Sequence, residues 1–416
     1  MIEVIKHKLG NLQWKFLLIL ASGYMGSFLS IQGIQALMPF LRADFGISRT
    51  QAGLYSTFLF SSATIIAIFS GNIVDKIGSR SGLLIGIFSM GALMILHGLA
   101  PFYGILLLLA LFTGLGFSII TPAVNKAVML HVKPERRAIS MGIMHSGSGI
   151  GGFTGATLLP ILAGSVGWRL AIIASGITAL SLGFIVSKNF NLNKNQKDQE
   201  NDSSSQNFKR QFARIIRNKQ LMLACGLGLV FGLAVGAIPA HYTLYLTLDL
   251  NYPEAIAGFS LGLVQIGGIV GRILWGWVSD VPLSGDRKNS FLLIMIVIVL
   301  LKLVNAFAGS MLAENILLMF IISFLLGVSA LGWSGLFFTV VSERASPEQT
   351  GIASGMSLIF LRLGVVIGPP VFGYLGDYFD HYHNSWLILA LVVMTSGLIY
   401  YILQGKADKI SAVKEI

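Results

Sequence analysis

The sequence predicts an all-α membrane protein with twelve transmembrane helices in two six-helix, pseudo-symmetric bundles. Hydrophobic residues make up 54% of the 416-residue chain and charged residues only 11%, whereas a soluble domain carries about 25% charged residues. Apolar runs long enough to cross a bilayer recur twelve times along the chain. They centre near residues 27, 60, 90, 117, 152, 177, 233, 268, 299, 327, 362 and 394.

A polar, low-complexity segment separates the sixth apolar run from the seventh. It divides the chain into a predicted N-terminal bundle at residues 1–187, a linker at 188–219 and a C-terminal bundle at 220–416. The linker ends in a basic stretch at 208–217, which fits either a short amphipathic helix on an anionic membrane surface or a solvated charge run. Two equal bundles around a polar linker are typical of transporters built from repeats.

The distribution of Lys and Arg predicts the orientation of the chain in the membrane. Arg42, Arg49 and Arg169 are the loop cations expected on the outer side, and most of the 29 basic residues fall on the side of the N-terminus. We therefore expect a multi-pass protein of the cytoplasmic (inner) membrane, with both termini and the linker in the cytoplasm.

Composition argues against several other classes of protein. The formal charge of +11 lies in short segments between apolar runs, so it does not indicate nucleic-acid binding. Cys225 is the single cysteine, which excludes an intrachain disulfide. The sequence shows neither a metal-ligand cluster nor a nucleophile–base arrangement, so we expect no enzymatic activity, no cofactor and no metal site. We expect a monomer embedded in the lipid bilayer.

Two loop motifs carry a specific signal. The segment between the second and third runs reads Gly71-Asn-Ile-Val-Asp75-Lys-Ile-Gly78-Ser-Arg80, and a weaker copy between the eighth and ninth reads Gly276-Trp-Val-Ser-Asp280. The glycines should let two helices pack closely, and each aspartate should cap a neighbouring helix or pair with a basic residue. Because such contacts can break and reform, we predict a gating role for Gly71, Asp75, Gly78, Arg80, Gly276 and Asp280.

The first loop motif resembles the G-x-x-x-D-x-x-G-x-R motif of the major facilitator superfamily, and the resemblance extends over essentially the whole chain. It implies the major facilitator fold and transport by alternating access around one central site. Glycine-rich segments at 147–155 and 364–373 resemble each other and the family's fifth-helix motif, where small residues form a packing face. The chain has Gly151-Gly152 and Ala110 where the family's proton-driven drug exporters carry Gly-Pro and an arginine, which argues against drug/proton antiport.

Arg362 carries the main functional signal. Counted from Thr350 it lies about 18 Å into its predicted helix, close to the midplane of a ~30 Å hydrocarbon core, and its guanidinium cannot lose its proton. A cation at that depth costs about 2.5–3.5 kcal/mol on insertion scales. All 18 acidic residues fall in predicted loops, tails or helix ends. The most direct interpretation is that an anionic substrate supplies the negative charge.

Arg272 is a second candidate cation, on the eighth predicted helix. Gln265 lies seven residues earlier and therefore shares its helix face, and a guanidinium fork beside an amide suits a carboxylate. The Gly-Arg pair at 271–272 resembles the monocarboxylate and oxalate–formate exchanger branches of the family. In those branches a helix 8 arginine binds substrate, and the oxalate branch adds a helix 11 cation, which Arg362 matches. The first helix lacks the Trp-rich pattern of monocarboxylate carriers.

Three residues of the N-terminal half complete the predicted substrate site. Tyr24 and Gln32 give the first helix a polar face, and His145 aligns with Arg362 within one turn when the two glycine segments are superimposed. His145 is also the one protein group that could titrate for proton symport, although a lone histidine is equally consistent with a hydrogen-bonded core residue. Lys302 lies on the ninth predicted helix, where a lysine can extend to the membrane surface.

These observations predict a secondary transporter for a small organic anion, such as a mono- or dicarboxylate. It would act as a symporter or an anion exchanger, with protons as a candidate second partner. One alternative is proton-driven efflux of lipophilic or drug-like compounds, which predicts an acidic residue at the midplane. A sensor without transport activity would need a larger cytoplasmic domain than the linker provides.

Overall fold

The computed structural model describes residues 11–133, 136–190, 218–345 and 350–414, and all regular structure within these ranges is helical. Most of the predicted linker, including the basic stretch at 208–217, lies outside the described residues. The described helices are α1 Asn11–Ala36, α2 Met38–Phe45, α3 Arg49–Ile77, α4 Ser79–Gly98, α5 Tyr103–His131, α6 Arg137–Val166, α7 Trp168–Asn189, α8 Lys219–Leu248, α9 Glu254–Asp280, α10 Arg287–Phe307, α11 Gly309–Glu314, α12 Ile316–Ala330, α13 Ser334–Arg344, α14 Thr350–Tyr378 and α15 Tyr382–Lys414.

The helices confirm the predicted fold class. In the described part of the chain, eleven spans are long and apolar enough to cross a membrane, and α3 becomes the twelfth if its two segments, bent by 64°, count as one span. Helices α12 and α13 together form one of these spans, Ile316–Arg344. Each of the twelve predicted centres falls inside one of them. Helices pair most of their backbone N–H and C=O groups within themselves, as the hydrocarbon core requires.

Polar caps mark several helix starts. Asn218, Asp286 and Asn315 each accept a hydrogen bond from the backbone N–H three residues later, at 3.0–3.2 Å. Each cap satisfies one of the backbone donors that a helix leaves free at its N-terminus. They lie just before α8, α10 and α12, so they fix where three apolar runs become helical.

The described residues form two compact units. The first gathers the described residues among 1–47, 58–199 and 253–262, and the second those among 48–57, 200–252 and 263–416. The predicted boundaries at 187 and 220 stay a prediction. Helices α3 and α9 each contribute residues to both units.

In the first unit, α1 packs along α6. A Cβ atom added at any of three glycines of α6 would overlap a backbone oxygen of α1, so no larger residue fits without moving the helices apart. The three glycines follow a four-residue spacing, as the sequence predicts for a packing face. They are Gly147, Gly151 and Gly155, and they oppose Ala21, Met25 and Leu29.

In the second unit, α8 and α14 pack in the same way, with glycines on both helices. Gly364 and Gly368 of α14 oppose the backbone oxygens of Leu229 and Leu233. On the α8 side, Gly232 and Gly236 oppose those of Leu361 and Val365. The two glycine segments recognised in the sequence therefore lie at close helix contacts within their own units, and the second segment fixes the rotation of α14 about its axis.

Candidate functional site

Arg362 lies on α14 in the second unit and is half-buried. At 100° per residue, its position is about 140° around the helix from the mean direction of Gly364 and Gly368, which pack on α8. Val366 is one turn further along on the same side, and its carbonyl accepts a hydrogen bond of 2.7 Å from the Thr57 hydroxyl. The side of α14 that carries Arg362 is therefore partly covered by protein and is not wholly lipid-facing.

Gln265 and Arg272 lie on α9, also in the second unit. Gly267 and Gly271 of the same helix fit against the α12 backbone, where an added Cβ would overlap carbonyl oxygens. This contact turns the opposite side of α9, which carries Gln265 and Arg272, away from α12. Arg272 is exposed and Gln265 half-buried. The Nε2 atom of Gln265 is buried and makes no hydrogen bond to any described residue.

The first unit brings Tyr24 and His145 together. Their ring centroids are 5.3 Å apart in an edge-on arrangement, and the Tyr24 hydroxyl is 3.2 Å from the Thr121 hydroxyl of α5. Phe28 extends the aromatic group, with its centroid 5.1 Å from that of Tyr24. Gln32 lies two turns from Tyr24 on α1 and is 8% exposed. Its Oε1 atom makes no hydrogen bond within the described residues.

Both predicted gating aspartates form ion pairs inside their own unit. In the first unit Lys126 of α5 donates to Asp75 at 2.9 Å. In the second unit Arg287 donates to Asp280 at 2.6 Å and to Glu343 at 2.8 Å. Asp75 and Asp280 keep side-chain exposures of 67% and 64%. Exposed pairs of this kind contribute about 0.2–1 kcal/mol, so they can break and reform at little cost.

The other predicted gating residues behave differently from one another. Gly78 has φ = +84° at the turn between α3 and α4, a conformation that favours glycine. Arg80 donates to the Ser187 carbonyl at 2.7 Å and so satisfies an oxygen near the end of α7. The expected close helix packing at Gly71 and Gly276 is wrong for this structure: a Cβ atom at either would meet nothing within 4 Å among the described residues. Both lie within the last two turns of their helices.

Lys302 contradicts the expectation of a surface-reaching lysine. Its side chain is fully buried in the second unit. The Nζ atom makes no hydrogen bond within the described residues and lies 5.3 Å from the ring centroid of Trp386. Burial follows from packing of α10 against α15, which covers this face. Periodicity alone could not show it, since a peripheral helix and a buried one are equally apolar.

Sequence reasoning missed a cluster of charges built around Arg49. It placed Arg49, Asp249 and Asp377 separately, in loops or at helix ends. The structure brings all three into the second unit, where Asp377 accepts hydrogen bonds from the start of α3. The three residues are more than a hundred positions apart in the chain, so no spacing rule could have joined them.

Comparison with known proteins identifies the family. The model of the Major Facilitator Superfamily matches residues 20–364. A probable hexose phosphate transport protein of Chlamydia pneumoniae is 24% identical, covering 95% of this chain and 91% of that protein. The quinolone resistance protein NorA of Staphylococcus aureus is also 24% identical, with 92% and 95% covered.

A solved structure supports the same fold. A point mutant of the nucleoside transporter NupG superimposes with a TM-score of 0.78 at 14% identity, covering 94% of this chain and 99% of that one. The related proteins are transporters, and none of these similarities points to an enzyme. Taken with the helical spans, the family match shows that this chain belongs to the major facilitator superfamily and is a multi-pass secondary transporter.

Proposed function

We propose that this transporter moves a small organic anion, a mono- or dicarboxylate, across the cytoplasmic membrane by alternating access, as a symporter or an anion exchanger. Both termini would lie in the cytoplasm, and Arg362 and Arg272 would hold the anion. Gln265, Tyr24, Gln32 and His145 would line the path that the anion takes.

This proposal rests on where the charged side chains lie along the membrane-spanning helices. Every acidic residue in the described part of the chain lies in a connecting segment, within two residues of a helix end, or beyond the last apolar span, which ends at Gln404. Arg362, by contrast, lies in the middle of α14, so the interior of the described spans is biased towards positive charge. Such a bias favours a negatively charged cargo.

The chemistry of the two cations favours a carboxylate. A guanidinium presents paired N–H donors that match the two oxygens of a carboxylate, and it stays charged at every physiological pH. The buried Nε2 of Gln265, which has no hydrogen-bond partner in the described ranges, adds a neutral donor on the face that carries Arg272. A dicarboxylate would occupy both arginines, whereas a monocarboxylate would depend mainly on one.

The relatives support an anionic cargo without deciding it. Hexose phosphate, the cargo printed for the Chlamydia relative, is an organic anion. NorA, at the same identity, is a quinolone resistance protein, so efflux of lipophilic compounds is the alternative to be tested.

A thermal-shift screen of the purified protein tests the proposal. A ligand that binds only the folded protein raises its melting temperature, so carboxylates should raise that of the wild type and not that of Arg362→Gln. Arg362→Lys should retain weaker binding, because it keeps the charge and loses the fork. Stabilisation by lipophilic cations, with no response to any carboxylate, would contradict the proposal and favour efflux.

A further inference from the structure

The start of α3 is held by a carboxylate from α14. Asp377 accepts hydrogen bonds from the backbone N–H groups of Arg49 at 2.9 Å and Thr50 at 2.8 Å, and from the Thr50 hydroxyl at 2.6 Å. A helix N-terminus carries partial positive charge and free N–H donors, so a carboxylate is its natural partner. Residues 48–57 and all of α14 belong to the second unit.

The Arg49 side chain extends this contact to α15 and α8. Its guanidinium donates to the Asp380 carbonyl at 2.7 Å, lies 5.3 Å from the Tyr382 ring centroid and is 3.8 Å from Asp249. Glycine at 373 of α14 is required here, because a Cβ atom there would overlap the Arg49 backbone oxygen. We refer to Arg49, Thr50, Asp249 and Asp377 as the clasp.

Asp249 is the poorly satisfied member of the clasp. Its side chain is only 10% exposed, yet one oxygen, Oδ1, makes no hydrogen bond within the described residues. The other accepts from the Tyr382 backbone N–H at 2.6 Å. Burial raises the pKa of Asp249 above its ordinary value, and the Tyr382 N–H, Arg49 and His381 offset this only in part. The charged form of Asp249 therefore opposes closure of the clasp, whereas Asp377 favours it.

Two further carboxylates lie around the clasp, and neither is buried and poorly satisfied as Asp249 is: Asp377 caps α3, and Asp380 is exposed. The titratable and charged groups that face Asp249 come from α3, α8, α14, α15 and the α14–α15 connection; they are Arg49, His241, Tyr245, Asp377, Asp380, His381 and Tyr382. Asp377 already accepts three hydrogen bonds from α3. Proton uptake at Asp249 would therefore neutralise the buried carboxylate of the clasp that lacks a hydrogen bond to one oxygen. The cap that Asp377 forms on α3 would stay intact.

We propose that the clasp closes and opens during the transport cycle, that Asp377 holds it closed, and that Asp249 makes its opening depend on protons. Protonation of Asp249 stabilises the closed clasp, and its deprotonation favours opening. The sign follows from burial: the closed state binds the proton more tightly than the open, solvated state, so closure weakens as the pH rises above 3.8, the ordinary value for aspartate. The inference holds for any cargo and does not depend on the proposed anion.

A distance measurement between two spin labels tests the clasp. The labels are attached to cysteines introduced at the exposed positions Gln51 of α3 and Tyr374 of α14, in a full-length Cys225→Ser background in lipid nanodiscs. The distance distribution between the labels is measured by pulsed electron–electron double resonance from about pH 4 to about pH 8. We expect a short distance at low pH and a growing population of longer distances as the pH rises.

Two charge variants separate the roles of the carboxylates. In Asp249→Asn the distance between the two labels should remain short at every pH. In Asp377→Asn this distance should shift towards longer values at every pH. Thr57→Val is the matched control, since it removes the hydrogen bond to the Val366 carbonyl in the same contact without changing a charge, and it should keep the wild-type pH dependence.

Several results would overturn the inference. They are a distance independent of pH in the wild type, a wild-type pH response in Asp249→Asn, or an unchanged short distance in Asp377→Asn. If Asp377→Asn gives too little folded protein, Thr50→Val replaces it. That variant removes one of the three hydrogen bonds to Asp377 and should shift the distances in the same direction by less; no shift would contradict the role of Asp377.

Discussion

Replacing Lys302 by methionine should make the protein more stable. Methionine keeps the length and flexibility of the side chain and removes a polar atom that is buried without a hydrogen bond to the described residues. Removing such a group should raise the free energy of unfolding by about 1–3 kcal/mol. Losing the contact of Lys302 with the Trp386 ring, at 5.3 Å, should lower it by about 0.5–2 kcal/mol. The net expectation is a gain of about 1 kcal/mol, or about 2 °C in melting temperature.

The chain supplies both the assay and the control for this test. Cys225 is the single cysteine and is fully buried, so a fluorogenic thiol reagent reports unfolding directly. Lys288 lies on the same helix with its Nζ 4.2 Å from the Tyr401 ring centroid and is only half-buried. Lys288→Met should leave the melting temperature unchanged or slightly lower. A lower melting temperature for Lys302→Met than for Lys288→Met would refute the reasoning and show that Lys302 has an essential partner.

Three further predictions concern gating, orientation and packing. Asp75→Asn should slow turnover and leave substrate affinity unchanged in a transport assay, since it removes an exposed ion pair with Lys126 and no proposed cargo contact; lost affinity with normal turnover would contradict this. A cysteine at Ser204 in a Cys225→Ser background should resist impermeant thiol reagents in intact cells, and ready labelling would reverse the predicted orientation. Gly151→Ala should lower the melting temperature by overlapping α1, whereas Gly142→Ala, with open space around it, should not; equal effects would contradict the packing argument.

The features that the sequence predicts well are those set by local composition. The length of an apolar run dictates a span, and the four-residue glycine spacing predicts the packing faces of α6 and α14, although not the helices that they contact. The prediction of close helix packing at Gly71 and Gly276 is wrong, because a glycine near a helix end does not have to contact another helix. Burial of Lys302 and the clasp around Arg49 depend on which helices meet, and that information is not contained in periodicity.

The candidate substrate site is predictable only in part. The position of Arg362 in the middle of its helix and the placement of acidic residues near helix ends follow from counting along the chain, and the described helices agree with both. Pairing of Tyr24 with His145 is compatible with the predicted polar face of α1 but required the packing of α1 on α6 to place the rings 5.3 Å apart. The chemical nature of the cargo stays a proposal.

Carboxylate binding by Arg362→Gln, compared with the wild type, tests the central claim most directly. Binding to purified protein is measured by calorimetry against a panel of mono- and dicarboxylates. We expect the variant to fold with normal yield and to bind no carboxylate. Arg272→Gln should lose binding equally for a dicarboxylate and less for a monocarboxylate. Wild-type carboxylate affinity in Arg362→Gln, or failure of that variant to fold, would contradict the assignment of Arg362 to the cargo.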